Sequence, residues 1–530
     1  MLLLQGVTYI HPNGDILISD VNLAVNKRDK IALIGNNGTG KSTVLRMLAG
    51  MVQPTNGIMR SEAQSYYVPQ VTGQFNDHTV AEALQIDAKL NALHEILDGN
   101  LTEENQATLD NDWSLEERCI EAFSHWNIPD VDLNEKLGSL SGGQKTKVFL
   151  AGIKIHQPEI VLLDEPSNHL DKESREILYD YIVSTKDTLV VVSHDRALLN
   201  LFNVVCELDR SGITVYGGNY EFYETQKAIK LNALHEELKE KEKALRKAKE
   251  IQIESSERQQ KLNARGKKKQ EKAGMPTIMM NTLRNNAEKS TAKLKDVHAD
   301  KVNNVSKELH DLRKEIPDDG KMKLDLNNSS LHSGKTLFKA EDINFAYEET
   351  MLWNHPLSFQ IRSGDRIVIR GHNGSGKTTL VKLILGELTP ATGTLDRAAV
   401  SAIYIDQDYS LIDNRLTVYE QAQMYNPSGM PEHEVKIRLN RFRFGKDDWN
   451  KPCSALSGGE KMRLILCSLS IRTQAPDVII LDEPTNNLDL QNIKILTTAI
   501  REYEGTLIVI SHDEYFLMEV GVKESVHIDQ

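Results

Sequence analysis

A glycine-rich stretch ending in lysine and a hydroxyl residue can wrap a polyphosphate, and this chain carries two such stretches. The first reads Gly35-Asn36-Asn37-Gly38-Thr39-Gly40-Lys41-Ser42 and the second Gly371-His372-Asn373-Gly374-Ser375-Gly376-Lys377-Thr378. In this pattern backbone N–H groups close around nucleotide phosphates. Lys41 and Lys377 then reach the β- and γ-phosphates, while Ser42 and Thr378 offer hydroxyls to Mg²⁺. The N-terminus of the helix that follows adds a favourable field for the anion. The expected nucleotide-binding residues are Gly35, Asn36, Gly38, Gly40, Lys41, Ser42 and Thr43 in the first half. In the second they are Gly371, Asn373, Gly374, Gly376, Lys377, Thr378 and Thr379.

Each half also places carboxylates where they are costly. Ile160-Val-Leu-Leu163 runs into Asp164-Glu165, and Val478-Ile-Ile-Leu481 runs into Asp482-Glu483. A carboxylate ending an apolar strand needs compensation, and Mg²⁺ held by Asp164 and Asp482 supplies it. Glu165 and Glu483, one residue further on, suit a general base that orients attacking water. Gln70 and Gln407 are placed to sense the metal and the water. His194 and His512, each inside Ser-His-Asp after another apolar run, are placed to contact the γ-phosphate.

All these motifs recur in the same order, the glycine loops 336 residues apart and the carboxylates 318 apart. A period this long is a duplicated domain. The 530 residues allow two units of about 200 residues with about 100 left over. Composition is that of a globular protein, with 40% hydrophobic and 26% charged residues. No apolar run approaches the roughly 18 residues of a membrane span. Met1 to Val7 reads as a first strand and not as a signal peptide. Cys119, Cys206, Cys453 and Cys467 are scattered, which gives no support for a metal cluster and fits a reducing, cytoplasmic setting.

The elements that must position the motifs are strand, glycine loop and helix. Ile31–Ile34 and Ile367–Ile369 lead into the loops, and helical patterns run from Ser42 to Leu48 and from Thr378 to Leu385. Together with the carboxylate strands and the runs Leu189–Val192 and Leu507–Ile510, they predict an α/β fold with a mostly parallel sheet in each half. Between the halves, Glu221 to Arg265 is nearly free of Gly and Pro and predicts one long helix. Gly266, Gly274 and Pro276 break it, and a second helix runs from about Thr282 to Glu315. The net charge is −13, yet Arg258 to Lys295 holds 11 basic and 2 acidic residues. An antiparallel hairpin with a basic, apolar tip is expected there.

Leu140-Ser141-Gly142-Gly143-Gln144 ahead of Leu163-Asp164-Glu165-Pro166 resembles the signature of ATP-binding cassette ATPases. Leu456-Ser457-Gly458-Gly459-Glu460 ahead of Leu481-Asp482-Glu483-Pro484 repeats it. The resemblance implies ATP hydrolysis by two cassettes packed head to tail around two ATP molecules. Ser457, Gly458 and Gly459 would then face Lys41, and Ser141, Gly142 and Gly143 would face Lys377. It also implies Tyr9 and Tyr347 as aromatics against adenine, with packing into the core as the alternative for each. Glu460 in place of Gln departs from the signature.

Two intact cassettes joined by a charged helical hairpin are similar to the ABC-F family of ribosome-associated translation factors and resistance proteins. Ser167-Asn-His-Leu-Asp171 and Thr485-Asn-Asn-Leu-Asp489 match that family's loop, with Asn487 replacing the commoner His. The implied organisation is a cassette at 1–221, a linker at 222–325 with its tip at about 265–284, and a cassette at 326–530. The implied partner is the ribosome, through rRNA and tRNA near the peptidyl-transferase centre, for a monomer without stable membrane subunits. Lys267, Lys268 and Lys269 suit rRNA phosphates, and Met275, Ile278, Met279 and Met280 suit an apolar contact at the tip. An insertion near Asn91 to Asp112 leaves room for only a short arm. The alternative is the ATPase component of a membrane transporter with separate membrane subunits.

Overall fold

Strands with no polar alternation form the centre of each cassette. Ile160–Asp164 and Thr188–Val192 are buried throughout, as strands covered on both faces must be. They belong to a six-stranded sheet ordered Ser65–Val68, Ile160–Asp164, Thr188–Val192, Lys30–Ile34, Val205–Asp209, Gly212–Tyr216. All pairs are parallel except the last. The second cassette has a parallel sheet ordered Ala402–Ile405, Val478–Asp482, Thr506–Ile510, Arg366–Arg370, Glu524–His527. The register sets Asp164 beside Val192 and Asp482 beside Ile510. The glycine loop, the carboxylates and Ser-His-Asp therefore leave the same edge of each sheet, where α/β folds bind ligands.

The computed structural model describes residues 1–530 except Arg210, 273–276, 316–331, Ser333, Glu349, Thr473 and 529–530. Scattered side chains between 263 and 295 and at 314–315 are likewise outside the description. One unit, Met1–Glu221 with Lys321–Gln530, holds both cassettes, and Phe222–Gly320 forms another.

Each cassette also has a second, antiparallel sheet that the expectation of a mostly parallel sheet did not separate. In the first its order is Ile16–Val25, Leu2–Ile10, Asn56–Ser61; in the second, Leu357–Arg362, Thr336–Asn344, Thr392–Arg397. Helix Lys41–Leu48 buries Val44, Leu45, Met47 and Leu48 in a core shared by both sheets, with Val7 and Ile18 on one side and Leu162 and Val190 on the other. In the first cassette the antiparallel sheet also presses on the glycine loop, and in the second the segment between two of its strands does so. A Cβ on Gly40 would stand 2.8 Å from the Ile18 side chain, and one on Gly376 would stand 2.5 Å from Leu352. Both glycines have positive φ, 97° and 88°, so shape and backbone both require glycine there.

Helices Gly142–His156 and Gly458–Ile471 begin at the signature glycines. Ser141 accepts from the Gln144 N–H, and the Gln144 side chain accepts from the Ser141 N–H in return. Ser457 and Glu460 form the same capping box. The departure from Gln to Glu thus preserves the helix start, because either side chain supplies the returning acceptor. The extra residues of the first cassette fold as Asp87–Leu97 and Glu103–Leu109 around Ala92, Leu93, Ile96 and Leu109.

The linker helices are Tyr220–Lys272 and Thr277–Glu315. Lys241 pairs with Glu308 and Arg313 with Glu242, which fixes an antiparallel register. The first helix passes through Gly266, where a break was expected, and the second begins five residues before Thr282. One glycine costs a helix only about 1 kcal/mol relative to alanine, and the surrounding lysines and glutamines favour helix. Met275 and the side chains of Lys267, Lys269, Ile278, Met279 and Met280 lie outside the described residues. Among the described residues no helix is long and apolar enough to cross a membrane, and all four cysteines are free and buried.

Asn344 ties this architecture to the second glycine loop. Its amide donates to the Trp353 carbonyl at 2.7 Å and accepts from the backbone of Phe345 and Trp353, while the Trp353 indole donates to the Ser375 carbonyl at 2.9 Å. Asn344→Ala should leave several buried backbone groups unpaired and cost about 2 kcal/mol or more. Calorimetry should register this as a lowered first unfolding transition; an unchanged transition would show that the loop does not depend on this bracket.

Candidate functional site

Strand Lys30–Ile34 delivers the first glycine loop and strand Arg366–Arg370 the second. The Lys41 ammonium donates to the Gly35 and Asn36 carbonyls at 2.7 and 3.1 Å, and Lys377 repeats this with Gly371 and His372 at 2.7 and 2.9 Å. Each lysine is thus held across the mouth of its own loop. Burial lowers the proton affinity of both, opposed in the first by Glu165 and in the second by Glu483.

Asp164 is 1% exposed and faces two hydroxyls, Ser42 at 3.2 Å and Tyr67 at 3.0 Å. Asp482 faces Thr378 at 3.4 Å and Tyr404 at 2.8 Å. Burial raises both aspartates above the usual carboxylate range, and the hydroxyls pull them back. Among the described residues no group of three or more His, Cys, Asp or Glu could form a metal cage. One hydroxyl facing one carboxylate is instead the donor set that fits Mg²⁺, which is completed by phosphate oxygens and water.

Glu165 and Glu483 are strained in both copies. Their φ values are +52° and +46°, uncommon for a side-chain-bearing residue, yet each N–H still donates at 2.8 Å to the neighbouring strand, at Val192 and Ile510. The turn sends the carboxyl group toward Ser-His-Asp. The Glu165 carboxyl accepts from the His194 N–H at 3.2 Å and lies 3.3 Å from its imidazole; His512 lies 3.5 Å from Glu483. Burial raises Glu165 well above the carboxylate range even against Lys41, and raises Glu483 to about 7 against the pull of Arg175. Burial also lowers His194 far below its usual range and His512 to about 4, so both imidazoles are neutral. In its carboxylate form, each of these glutamates is a stronger base than an exposed one and, beside a neutral imidazole, can orient water and accept its proton.

The two loops differ in what surrounds them. A cavity of about 540 Å³ gathers Gly374, Gly376, Lys377, Thr378, Thr379, Gln407, Asp482, Glu483 and His512 with Ser141, Gly142 and Gly143 of the other cassette. Gly143 must be glycine, since a Cβ there would stand 2.9 Å from the His169 carbonyl. Asn373 donates to that same carbonyl at 3.1 Å. The cavity at Lys41, about 340 Å³, is lined by Gly38, Gly40, Ser42, Thr43, Gln70, Asp164, Glu165 and His194, without Ser457, Gly458 or Gly459. Contact with the second cassette there runs through Asn37, whose N–H donates to Asp489 at 2.9 Å and whose amide donates to the Asn487 carbonyl at 3.3 Å.

Tyr347 lines the larger cavity, 57% exposed, with its hydroxyl 3.0 Å from that of Thr379. Tyr9 packs against the antiparallel sheet's core, and His11 and Leu17 line the first cavity instead. Gly35 and Gly371 end their strands, and Asn36 contributes its carbonyl to Lys41, while Asn37 occupies the place equivalent to Asn373. Sequence reasoning missed Tyr67, Tyr404, Asn37 and His11. Tyr67 and Tyr404 each stand three residues before the singled-out glutamines, Gln70 and Gln407, a signal that was available.

Residues 18–168 and 354–486 match the ABC transporter family, one copy in each half. The chain is 30% identical to the energy-dependent translational throttle protein EttA of Mycobacterium tuberculosis, over 95% of this chain and 88% of that protein. It is 27% identical to ABC transporter F family member 5 of Arabidopsis thaliana, over 96% of this chain and 72% of that one. The chain belongs to the ABC-F family. The archaeal ribosome recycling factor aABCE1, solved in complex with the archaeal ribosomal stalk protein aP1, has a similar fold, with TM-score 0.60 and 19% identity over 98% of this chain and 87% of that chain. As an ABC-F ATPase with both loop, carboxylate and signature sets present, this chain binds nucleotide and hydrolyses ATP.

Groups that orient a metal-binding carboxylate typically contribute 10–100-fold to activity. Replacing both tyrosines, Tyr67→Phe with Tyr404→Phe, should slow steady-state ATP hydrolysis roughly tenfold with little change in melting temperature. An unchanged rate would show that the hydroxyls do not support Asp164 and Asp482.

Proposed function

We propose that this ABC-F ATPase binds the 70S ribosome in its ATP form and leaves after hydrolysis, modulating translation or protecting the ribosome from antibiotics. The observation that carries this reading is the composite cavity at Lys377, to which both cassettes contribute. EttA's name as a translational throttle supports ribosome work in particular. In this reading residues 1–221 and 326–530 are the cassettes, and 222–325 is the linker that reaches rRNA and tRNA near the peptidyl-transferase centre. The protein acts in the cytoplasm as a monomer.

ATP lies against Lys41 and Lys377, with Gly35, Gly38 and Gly40, or Gly371, Gly374 and Gly376, lending their N–H groups to the phosphates. Ser141 to Gly143 complete the second site, and Ser457 to Gly459 complete the first when the cassettes close further. Ser42 with Asp164, and Thr378 with Asp482, would hold Mg²⁺, with Gln70 and Gln407 close by; the ion neutralises phosphate charge when bound. Glu165 and Glu483 orient water toward the γ-phosphate and take up its proton, and His194 and His512 fix that geometry. Because closure is stabilised by groups on both sides of the nucleotide, loss of the γ-phosphate removes the preference for the closed state. The linker, joined to both cassettes, follows that cycle.

The double variant Glu165→Gln with Glu483→Gln should keep ATP binding and stop turnover, so that it accumulates on pelleted ribosomes in ATP. Wild-type turnover in this variant, or a failure to pellet, would refute the assignment.

The basic run of the linker should supply salt-sensitive attraction. Converting Lys267, Lys268 and Lys269 to glutamine should weaken ribosome binding and flatten its dependence on salt, with basal ATP hydrolysis unchanged. A salt titration that superimposes on wild type would remove these lysines from the contact.

A further inference from the structure

The duplicated motifs agree at nearly every group that meets the nucleotide in cis, and the signature Ser-Gly-Gly recurs as well, but the helices that follow the carboxylate loops differ in what they offer across the interface. Asp171 and Asp489 cap equivalent helices, Lys172–Ser184 and Leu490–Glu502. Four residues further along, the first cassette carries Arg175 and the second carries Ile493. Arg175 lines the cavity of Lys377, Glu483 and His512 and not the one at Lys41. Ile493, 3% exposed, faces Glu165 and His194 in a small pocket that Arg175 also borders. The Arg175 side chain is itself only 12% exposed and is anchored in its own cassette. Its Nε donates to the Leu170 carbonyl at 3.2 Å, and its guanidinium lies 3.7 Å from Asp195. It is a fixed cation at the wall of the second site.

The carboxylates that follow the two loops are also deployed unequally. Asp489 accepts directly from the backbone of the first glycine loop, at Asn37. Asp171 is occupied by the N–H and hydroxyl of Ser174 and lies 3.6 Å from Lys147. The first loop therefore meets an anion across the interface, and the second shares its cavity with a guanidinium. A polyphosphate is sensitive to that difference, since a preorganised guanidinium pairs strongly with phosphate oxygens and a desolvated carboxylate repels them.

We propose that Arg175 is a nucleotide-affinity determinant acting across the interface on the Lys377 site alone, and that its replacement by Ile493 in the mirrored place makes the two ATP sites unequal. The inference rests on the nucleotide-site reading above. It concerns the strength with which each site holds ATP, not the identity of the base that activates water.

The test is calorimetric titration of the full chain with the magnesium complex of a non-hydrolysable ATP analogue, AMP-PNP, in two single-site backgrounds. Lys41→Ala leaves the Lys377 site and Lys377→Ala leaves the Lys41 site. With Lys41→Ala, adding Arg175→Ala should weaken binding about tenfold, the loss expected for one charge-assisted contact, and Arg175→Lys should recover most of it. With Lys377→Ala, Arg175→Ala should change affinity by less than about twofold. Equal weakening in both backgrounds would reduce Arg175 to a support of the interface and overturn the proposal, as would no weakening in the first. Persistence of two binding events in either lysine variant would instead overturn the nucleotide-site reading, and this inference with it.

Discussion

Two adjacent carboxylates at the end of a fully buried strand are the constraint around which each cassette is arranged. Neither carboxylate could stay charged in that position without nearby compensation, because desolvation of an isolated anion costs more than a small domain can absorb. The structure divides the problem. Asp164 and Asp482 each receive two hydroxyls, one from the glycine-loop helix and one from the neighbouring edge strand. Glu165 and Glu483 are turned out of the strand by a left-handed backbone and left with a raised proton affinity. Buried polar atoms on Glu165, His194 and His512 without hydrogen-bond partners mark where a reactant supplies what the protein does not.

The antiparallel sheet follows from the same constraint. A phosphate loop works only if its N–H groups point inward, which requires left-handed turns that would relax in an unsupported segment. Ile18 under Gly40, and Leu352 and Trp353 under Gly376, hold those turns from below. The core of Val7, Ile18, Leu45 and Val190 fixes the loop's helix between two sheets, so the loop is set by packing on both sides.

The central strands, the phosphate loops and the order of the motifs were legible because each depends on local pattern: an apolar run, a glycine spacing, a cap. The antiparallel sheets were not, because strands such as Asn56–Ser61 and Thr392–Arg397 are largely exposed and carry no apolar period. Gly266 was overread, since a single glycine is a weak break inside a lysine-rich helix. In the sites, the groups tied to a motif could be named, but Tyr67 and Tyr404 could not be joined to Asp164 and Asp482 without the parallel pairing of their strands. Arg175 was invisible for a related reason: its meaning lies in a cavity that the two cassettes make together.

That distinction separates what the duplication kept from what it changed. Groups acting in cis on a buried carboxylate have few substitutes, and they recur as Lys41 and Lys377, Ser42 and Thr378, Tyr67 and Tyr404, His194 and His512. Groups acting across the interface can be satisfied in several ways, and there the copies diverge. One contact tolerates the change of residue, since Asn373 and Asn37 each donate to a backbone carbonyl, at His169 and at Asn487. Arg196, 8% exposed, pairs with Glu519 at 2.9 Å and lies over the Tyr515 ring, while Glu514, in the equivalent place, pairs within its own cassette with Arg370. A buried arginine that reaches only one way across the interface holds the cassettes together without imposing symmetry on them. The chemistry of hydrolysis is therefore built twice in nearly the same form. The mechanics of closure are built once, from unlike halves, and the interface is where the two ATP sites acquire different properties.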